Sequence, residues 1–183
     1  MTTERYEIDP THTTIGFSAK HLAVSTVRGH FTKFSGGVDV TDGNPLTAKG
    51  GAVIEIDSIH TGNAQRDGHL KSGDFFEAEK FPTMNYEVTG VELVEGETYL
   101  IRGNLTIKGV TKPVALEATV EAKIADPFGG KERVGLTVTG QINRMDFGLN
   151  WDGLAGAIPM ASHTIKLDLD LAIVSRATEP ATA

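Results

Sequence analysis

Apolar residues return at every second position along most of this sequence, a period that belongs to strands with one buried face and not to helices. Within 164–173, Ile165, Leu167, Leu169, Leu171 and Ile173 alternate with Lys166, Asp168, Asp170 and Ala172. The same rhythm runs through 134–142, 114–122, 99–107, 84–88, 52–56, 15–21 and 27–31, which makes eight strand candidates. Turn-forming runs separate several of them: Asp42-Gly43-Asn44-Pro45, Glu95-Gly96-Glu97, Lys108-Gly109 and Asp126-Pro127-Phe128-Gly129-Gly130. Consecutive strands on short turns favour an antiparallel up-and-down sheet. Eight of them close most economically into a barrel, which leaves no edge exposed. An immunoglobulin-like sandwich is the alternative. Strand length favours the barrel, as do glycines inside the strands at Gly29, Gly103, Gly135 and Gly140, because tight curvature needs bends. The expectation is an all-β fold, an eight-stranded antiparallel up-and-down barrel. It fills a single domain over 1–177, followed by a disordered tail at 178–183.

Alternation alone does not say which row faces solvent. Turned the other way, Lys166, Asp168, Asp170, Glu117, Glu121 and Arg102 would fill the lumen of a membrane barrel, which also needs aromatic girdles. With eight Phe, three Tyr and one Trp in 183 residues, the apolar rows are placed inward and no stable membrane insertion is expected. No stretch approaches the ~20 apolar residues of a spanning helix. The opening run Met1-Thr2-Thr3-Glu4-Arg5-Tyr6 has no basic region followed by an apolar one, so no secretory signal is expected and the expected compartment is the cytoplasm. Seventeen Lys and Arg against 24 Asp and Glu give a net charge of −7, which argues against nucleic acid as a partner and against steering onto anionic lipid. The absence of Cys excludes disulfides, thiolate metal sites and Cys nucleophiles together. His12, His21 and His30 recur every nine residues but fall on opposite parities, and His60 and His69 lack the spacing of a helical metal pair, so no metal site is expected. No nucleophile elbow or P-loop occurs, and no residue is assigned a catalytic role.

The inward rows contain Ala19, Ala118, Ala122, Gly29, Gly103 and Gly140. Small residues there either hollow out an elongated cavity or make room for bulky neighbours such as Phe17 and Phe31, and composition supports both readings. One segment breaks the alternation. Asn63 as N-cap and Gly73 as the residue beyond the C-cap predict a helix over 64–72. Asp74 with Glu77 three residues on reads as a capping box for a further turn, so a short helical segment is expected near 63–78. The Gly- and Ala-rich stretch 147–163, with the only Trp, is a second irregular region.

Several blocks are more specific than a period. His12-Thr13-Thr14-Ile15-Gly16-Phe17, His21 and Gly29-His30-Phe31 open the chain. Ser58-Ile59-His60-Thr61 follows, then Arg66-Asp67-Gly68-His69-Leu70-Lys71-Ser72-Gly73-Asp74-Phe75-Phe76 and Phe81-Pro82. Gly103-Asn104-Leu105-Thr106-Ile107-Lys108-Gly109-Val110-Thr111-Lys112-Pro113-Val114 and Asn143-Arg144-Met145-Asp146-Phe147-Gly148-Leu149 complete the set. In this order, from about Tyr6 to Ile173, the blocks resemble the YceI-like family. The resemblance implies an extended lipocalin-like barrel that holds a long isoprenoid amphiphile, a polyprenyl chain or an isoprenoid quinone, in its lumen. It implies no general enzymatic activity and no cofactor beyond the bound lipid, and it implies a possible homodimer. Many family members are exported, and this chain departs from them in showing no leader. Ten strand residues rise about 33 Å, enough to sheathe a substantial length of extended chain. Such a site is greasy along its length and polar at one mouth.

The expected ligand-binding residues follow from parity and from these blocks. Phe17, Phe31, Tyr86 and Leu105 lie on inward rows. His21 ends the row of Ile15, Phe17 and Ala19, where it meets a head group at the mouth or is satisfied by backbone under a turn. Arg66, Asp67 and His69 on the short helix either anchor it by a salt bridge or touch a pyrophosphate or quinone head. Phe75 and Phe76 are expected to plug one end of the core. Lys112 is expected to be solvated in a tight hairpin, and Arg144 and Asp146 to pair with each other or with the helix. Trp151 is read as a portal flap or an interface anchor. Two other readings of the whole remain: an enzyme that modifies a bound isoprenoid, and a stress-related interaction protein whose lumen its own side chains fill.

Overall fold

The computed structural model describes residues 1–176, so the expected tail at 178–183 lies outside the described residues. Its elements are β1 (Thr3–Ile8), β2 (Thr14–His21), β3 (Ser25–Phe31), β4 (Phe34–Thr41), β5 (Asn44–Glu55), β6 (Ile59–His60), α1 (Ala64–Lys71), β7 (Thr83–Glu95), β8 (Thr98–Ile107), β9 (Val110–Ala125), β10 (Glu132–Asn143), β11 (Leu154–Ala155), β12 (Ile158–Pro159) and β13 (Thr164–Ser175). Short 3-10 turns occupy Ile56–Ser58 and Arg144–Phe147.

Eight antiparallel strands close into a barrel in the order β1, β4, β5, β7, β8, β9, β10, β13, and β13 pairs back onto β1. Closure excludes the sandwich. The joints are unequal. β13 meets β10 at every position from Asn143 to Glu132, but meets β1 only through Ile173, Val174 and Ser175. Towards its other end β13 pairs instead with β2, from Asp170 opposite Thr14 to Lys166 opposite Ser18, and β3 and β6 extend this branch.

Six of the eight candidate strands lie in the closed ring. The segments 15–21 and 27–31 form the branch, and Thr3–Ile8 and Phe34–Thr41 take their places in the ring. Neither of those two strands shows a clean alternation: the inward row of β1, Glu4, Tyr6 and Ile8, opens on a carboxylate that meets Lys131, and β4 is interrupted for a steric reason. β4 carries Gly36 and Gly37 and β5 carries Gly50 and Gly51. A Cβ on Gly37 would strike the Tyr6 carbonyl, and one on Gly51 the Tyr86 carbonyl. The strands β1, β4, β5 and β7 therefore curl past one another closely enough that side chains, and with them the apolar signal, are missing there.

The helix starts where the sequence places it. The Asn63 side chain accepts from the Arg66 backbone N–H at 2.9 Å. Its end differs from expectation. Ser72 caps it with an extended backbone, and its hydroxyl donates to the His69 carbonyl at 2.7 Å, so Gly73 is not needed in a left-handed conformation. The positive φ falls later, at Glu77 (φ 51). The capping box at Asp74 does not form, because Asp74 lies 2.8 Å from the His69 ring and the following residues are turns. A buried core of Ile54, Ile56, Ile59, Phe75, Met84, Ile107, Phe147 and Leu149 gathers at the helix end of the barrel and narrows it without sealing it.

Candidate functional site

Beyond that core the barrel is hollow. The inward rows of β13 (Ile165, Leu167, Leu169, Leu171, Ile173), β10 (Val134, Leu136, Val138) and β9 (Val114, Leu116, Ala118, Val120) line a cavity of about 820 Å³. Tyr99, Ile101, Leu105 and Ile107 of β8, with Met84, Tyr86 and Val88 of β7, continue the wall, and residues of β1, β2, β4 and β5 close it. The β13 row is inward by parity yet only half-buried, because these side chains face open space where a filled core would cover them. Both readings of the small inward residues hold, at different positions. A side chain on Gly29 would strike the Phe17 ring, one on Gly103 the Tyr86 ring and one on Gly140 the Leu116 side chain. These glycines make room for neighbours, while Ala19 and Ala118 border the cavity itself.

Ala122 is not inward. A bulge between Gly135 and Leu136 puts Val120 opposite Leu136 and Lys123 opposite Val134, so the parity of β9 flips. Lys123 therefore enters the wall in place of Ala122. It meets Glu132 at 3.1 Å, and Glu132 accepts from the Tyr6 hydroxyl at 2.6 Å. Burial alone would raise the Glu132 carboxyl, but the Tyr6 hydrogen bond and the Lys123 ammonium outweigh it and hold the group below its usual value. Burial, then the Glu132 carboxylate, push the Tyr6 hydroxyl well above the usual phenol range. Glu97 joins the wall at this end.

All ten residues singled out from the sequence lie on the wall of this one cavity: Phe17, His21, Phe31, Arg66, His69, Phe75, Phe76, Tyr86, Leu105 and Trp151. Their polar groups are largely spoken for. Tyr86 donates to the carbonyls of Val114 (2.9 Å) and Ile101 (3.2 Å), and burial pushes its hydroxyl pKa up to about 12. Arg66 and Asp67 do not pair with each other. Both clasp Thr61: Arg66 donates from Nε to Thr61 Oγ1 and from Nη2 to its carbonyl, each at 2.8 Å, and Asp67 Oδ1 accepts from the Thr61 hydroxyl at 2.5 Å and its N–H at 2.9 Å. The helix is thus anchored, with His60 lying 3.7 Å from Asp67. Phe75 is buried in the plug, whereas Phe76 is half-buried beside Phe31. Trp151 is packed edge-on against His69 (centroids 5.0 Å apart) and tilted on Phe75 (5.5 Å). His21 is exposed at the rim, where its backbone bridges to Ala161.

Arg144 is the residue that parity missed. It pairs neither with Asp146 nor with the helix. Its guanidinium, 3% exposed, donates to the carbonyls of Leu149 (2.5 Å), Trp151 (2.8 Å), Ser162 (3.0 Å) and Ala161 (3.1 Å), with Asp152 at 3.4 Å. Burial lowers its pKa and Asp152 opposes the shift. One cation thereby organises the whole 149–162 stretch across one end of the cavity. Because Arg144 sits in a 3-10 turn, no two-residue period could show which way it points. Lys108 was likewise more than a turn residue: it donates to the Gly73 carbonyl at 3.2 Å and ties the segment after α1 to the β8–β9 hairpin, while Lys112 is exposed.

The cavity wall includes exposed residues at both ends, Lys20 and His21 at the helix end and Pro45 and Glu97 at the other. Between them the wall is largely apolar: the Tyr86 hydroxyl and the Arg66 and Arg144 guanidinium groups are engaged by backbone or Thr61, and Tyr99 adds a phenol towards the far end. The arrangement suits a long, narrow, apolar ligand with a polar terminus.

Comparison with known proteins agrees with this geometry. The pattern of the YceI-like domain matches residues 6–173. A UPF0312 protein from Photorhabdus laumondii is 39% identical over 148 residues, 81% of this chain and 76% of that one. The crystal structure of a Campylobacter jejuni YCEI protein superposes with a TM-score of 0.74 at 30% identity, covering 86% of this chain and 90% of that one. A polyisoprenoid binding domain from Saccharophagus degradans shares the fold, with a TM-score of 0.68 at 20% identity over 93% of this chain and 98% of that one.

Proposed function

This chain belongs to the YceI-like domain family, and from that premise we propose that it binds a polyisoprenoid amphiphile, a polyprenyl lipid or an isoprenoid quinone, in the barrel lumen as carrier or reservoir and not as an enzyme. The observation that carries this reading is the cavity of about 820 Å³, large among small-molecule sites, which span roughly 300–1,000 Å³. Its length follows strands of ten to sixteen residues, so it favours an extended chain over a compact ligand. Each Å² of apolar ligand surface taken from water contributes about 25 cal/mol before ordering costs. A prenyl chain asks for no hydrogen bond until its head, and the wall offers few: the Tyr86 hydroxyl in mid-wall is already donated to backbone. A binding role also accords with the polar cluster at the helix end, where Arg66, Asp67 and His69 are engaged with Thr61 and Asp74.

Native mass spectrometry of the purified protein, followed by denaturing extraction, tests the reading. A co-purifying mass released on unfolding, or stoichiometric uptake of an added isoprenoid quinone by the emptied protein, is expected. Reproducible absence of both would overturn it.

A further inference from the structure

The overall charge of −7 hides an uneven distribution. From Pro10 to Val38 there is no acidic residue, while Lys20, Arg28 and Lys33 lie within that stretch. On the outer face of the branch, β3 Arg28 sits opposite β2 Ser18, which sits opposite β13 Lys166, and Lys20 is one outward position nearer the rim. The next acidic positions on β13, Asp168 and Asp170, lie further from the rim, opposite Gly16 and Thr14.

At this rim two apolar tips project side by side. One is the β2–β3 turn. There Leu22 (φ 51) and Ala23 (φ 58) take a left-handed conformation that Gly, Asn or Asp adopts far more readily, and Val24 is 86% exposed. The other is the β11–β12 hairpin, with Leu154 59% and Ile158 47% exposed. Backbone bonds hold the two together: Leu22 N–H donates to the Met160 carbonyl at 3.2 Å, and Ser162 N–H to the Lys20 carbonyl at 2.9 Å. Lys20, His21, Met160 and Ala161, which lie between the tips, are also cavity wall. The only acidic residue of the 150–163 loop, Asp152, is engaged by Arg144 and His163.

The opposite end provides an internal comparison. Leu93, Val94, Ile124 and Phe128 are exposed there too, among Glu92, Glu95, Glu97 and Glu121 but also Arg102, Lys123, Lys131 and Arg133, whose guanidinium lies 5.7 Å from the Phe128 ring centroid. Both ends mix apolar exposure with acids and cations; what marks the branch rim is the acid-free run from Pro10 to Val38 beside its apolar tips. On the α1 side of the helix end, Asp57, Asp74 and Glu77 lie near Lys71, His69 and Lys108 respectively.

We propose that the β2–β3 turn and the β11–β12 hairpin form a docking surface for an anionic lipid bilayer, with Val24, Leu154 and Ile158 entering the interface and Lys20, Arg28 and Lys166 facing its headgroups. Apolar tips ringed by cations are what such a surface rewards. The contact brings the rim of the lumen to the membrane. Its use for loading and unloading cargo rests on the binding reading above; the contact itself does not.

The test is co-sedimentation of the full chain with phosphatidylglycerol-containing vesicles and with phosphatidylcholine-only vesicles, at low and high salt. Binding to the anionic vesicles that weakens with salt is expected. Val24→Asp with Ile158→Asp is expected to weaken it about tenfold or more. Lys20→Glu with Arg28→Glu is expected to weaken it by about fivefold or more. Phe128→Asp, at the opposite end, is expected to leave it unchanged, and far-ultraviolet circular dichroism checks that each variant is folded. No binding to either vesicle would overturn the proposal, and so would equal loss with Phe128→Asp. Sedimentation equilibrium showing a dimer that Val24→Asp dissociates would overturn it too, by placing a second copy on this face. A lumen without lipid in native mass spectrometry would instead sink the cargo reading and leave the vesicle result standing.

Discussion

Arg144 shows how much one side chain can organise. A buried guanidinium that loses its partners, or partners that lose the guanidinium, are left desolvated and unsatisfied. Arg144→Met should therefore cost about 3–5 kcal/mol, read as a lowered denaturant midpoint. Arg144→Lys should not restore it, because one ammonium cannot reach carbonyls on both sides of a planar fork. A second residue-scale effect is titratable. The Arg133 guanidinium, 2.6 Å away, and then His12 hold the Asp9 carboxyl well below the usual carboxylate range. A depressed folded value contributes stability that is fully present above the unfolded pKa of about 4 and is lost as pH falls below it. Asp9→Asn should thus flatten the fall in stability below about pH 4 while lowering stability at neutral pH, which acid titration of the melting temperature would show. Single residues were legible from sequence where strand parity applied. Tyr86, Leu105 and Phe17 reach the wall for that reason, whereas Arg144 and Lys108 act from turns, where no period exists.

Among the elements, the strongest apolar rows, β8, β9, β10 and β13, were readable at once. β4 was not, because backbone packs on backbone where side chains would have marked it, and β1 was not, because its inward row begins with Glu4. The bulge in β9 was equally silent, and it moved Lys123 inward in place of Ala122. The helix was readable at its start, since Asn63 is a cap with a clear sequence signature, and less so at its end, where the His69–Asp74 contact took the residue assigned to a capping box. Asn63→Ala should cost about 1 kcal/mol and raise amide exchange over Ala64–Lys71 ahead of the strands.

For the whole molecule, hollowness makes an unusual demand on mutational tolerance. In a close-packed interior an added ring costs about 1–3 kcal/mol. Leu136→Trp and Leu171→Trp, which point into the lumen, should instead leave the melting temperature nearly unchanged while abolishing cargo in native mass spectrometry. Ile56→Trp, in the plug, should unfold the protein at lower temperature. If both sets destabilise equally, the interior is filled. The closure of the ring carries a further consequence. A hoop yields at its shortest weld, and here that weld is the three rungs between Tyr6–Ile8 and Ile173–Ser175, just before β13 changes partner. Amide exchange should run faster at Glu7 than at Leu169. Letting go of three rungs widens the bore while the other seven joints of the ring stay shut, so the girth of this tube is set by its seam as much as by its lining.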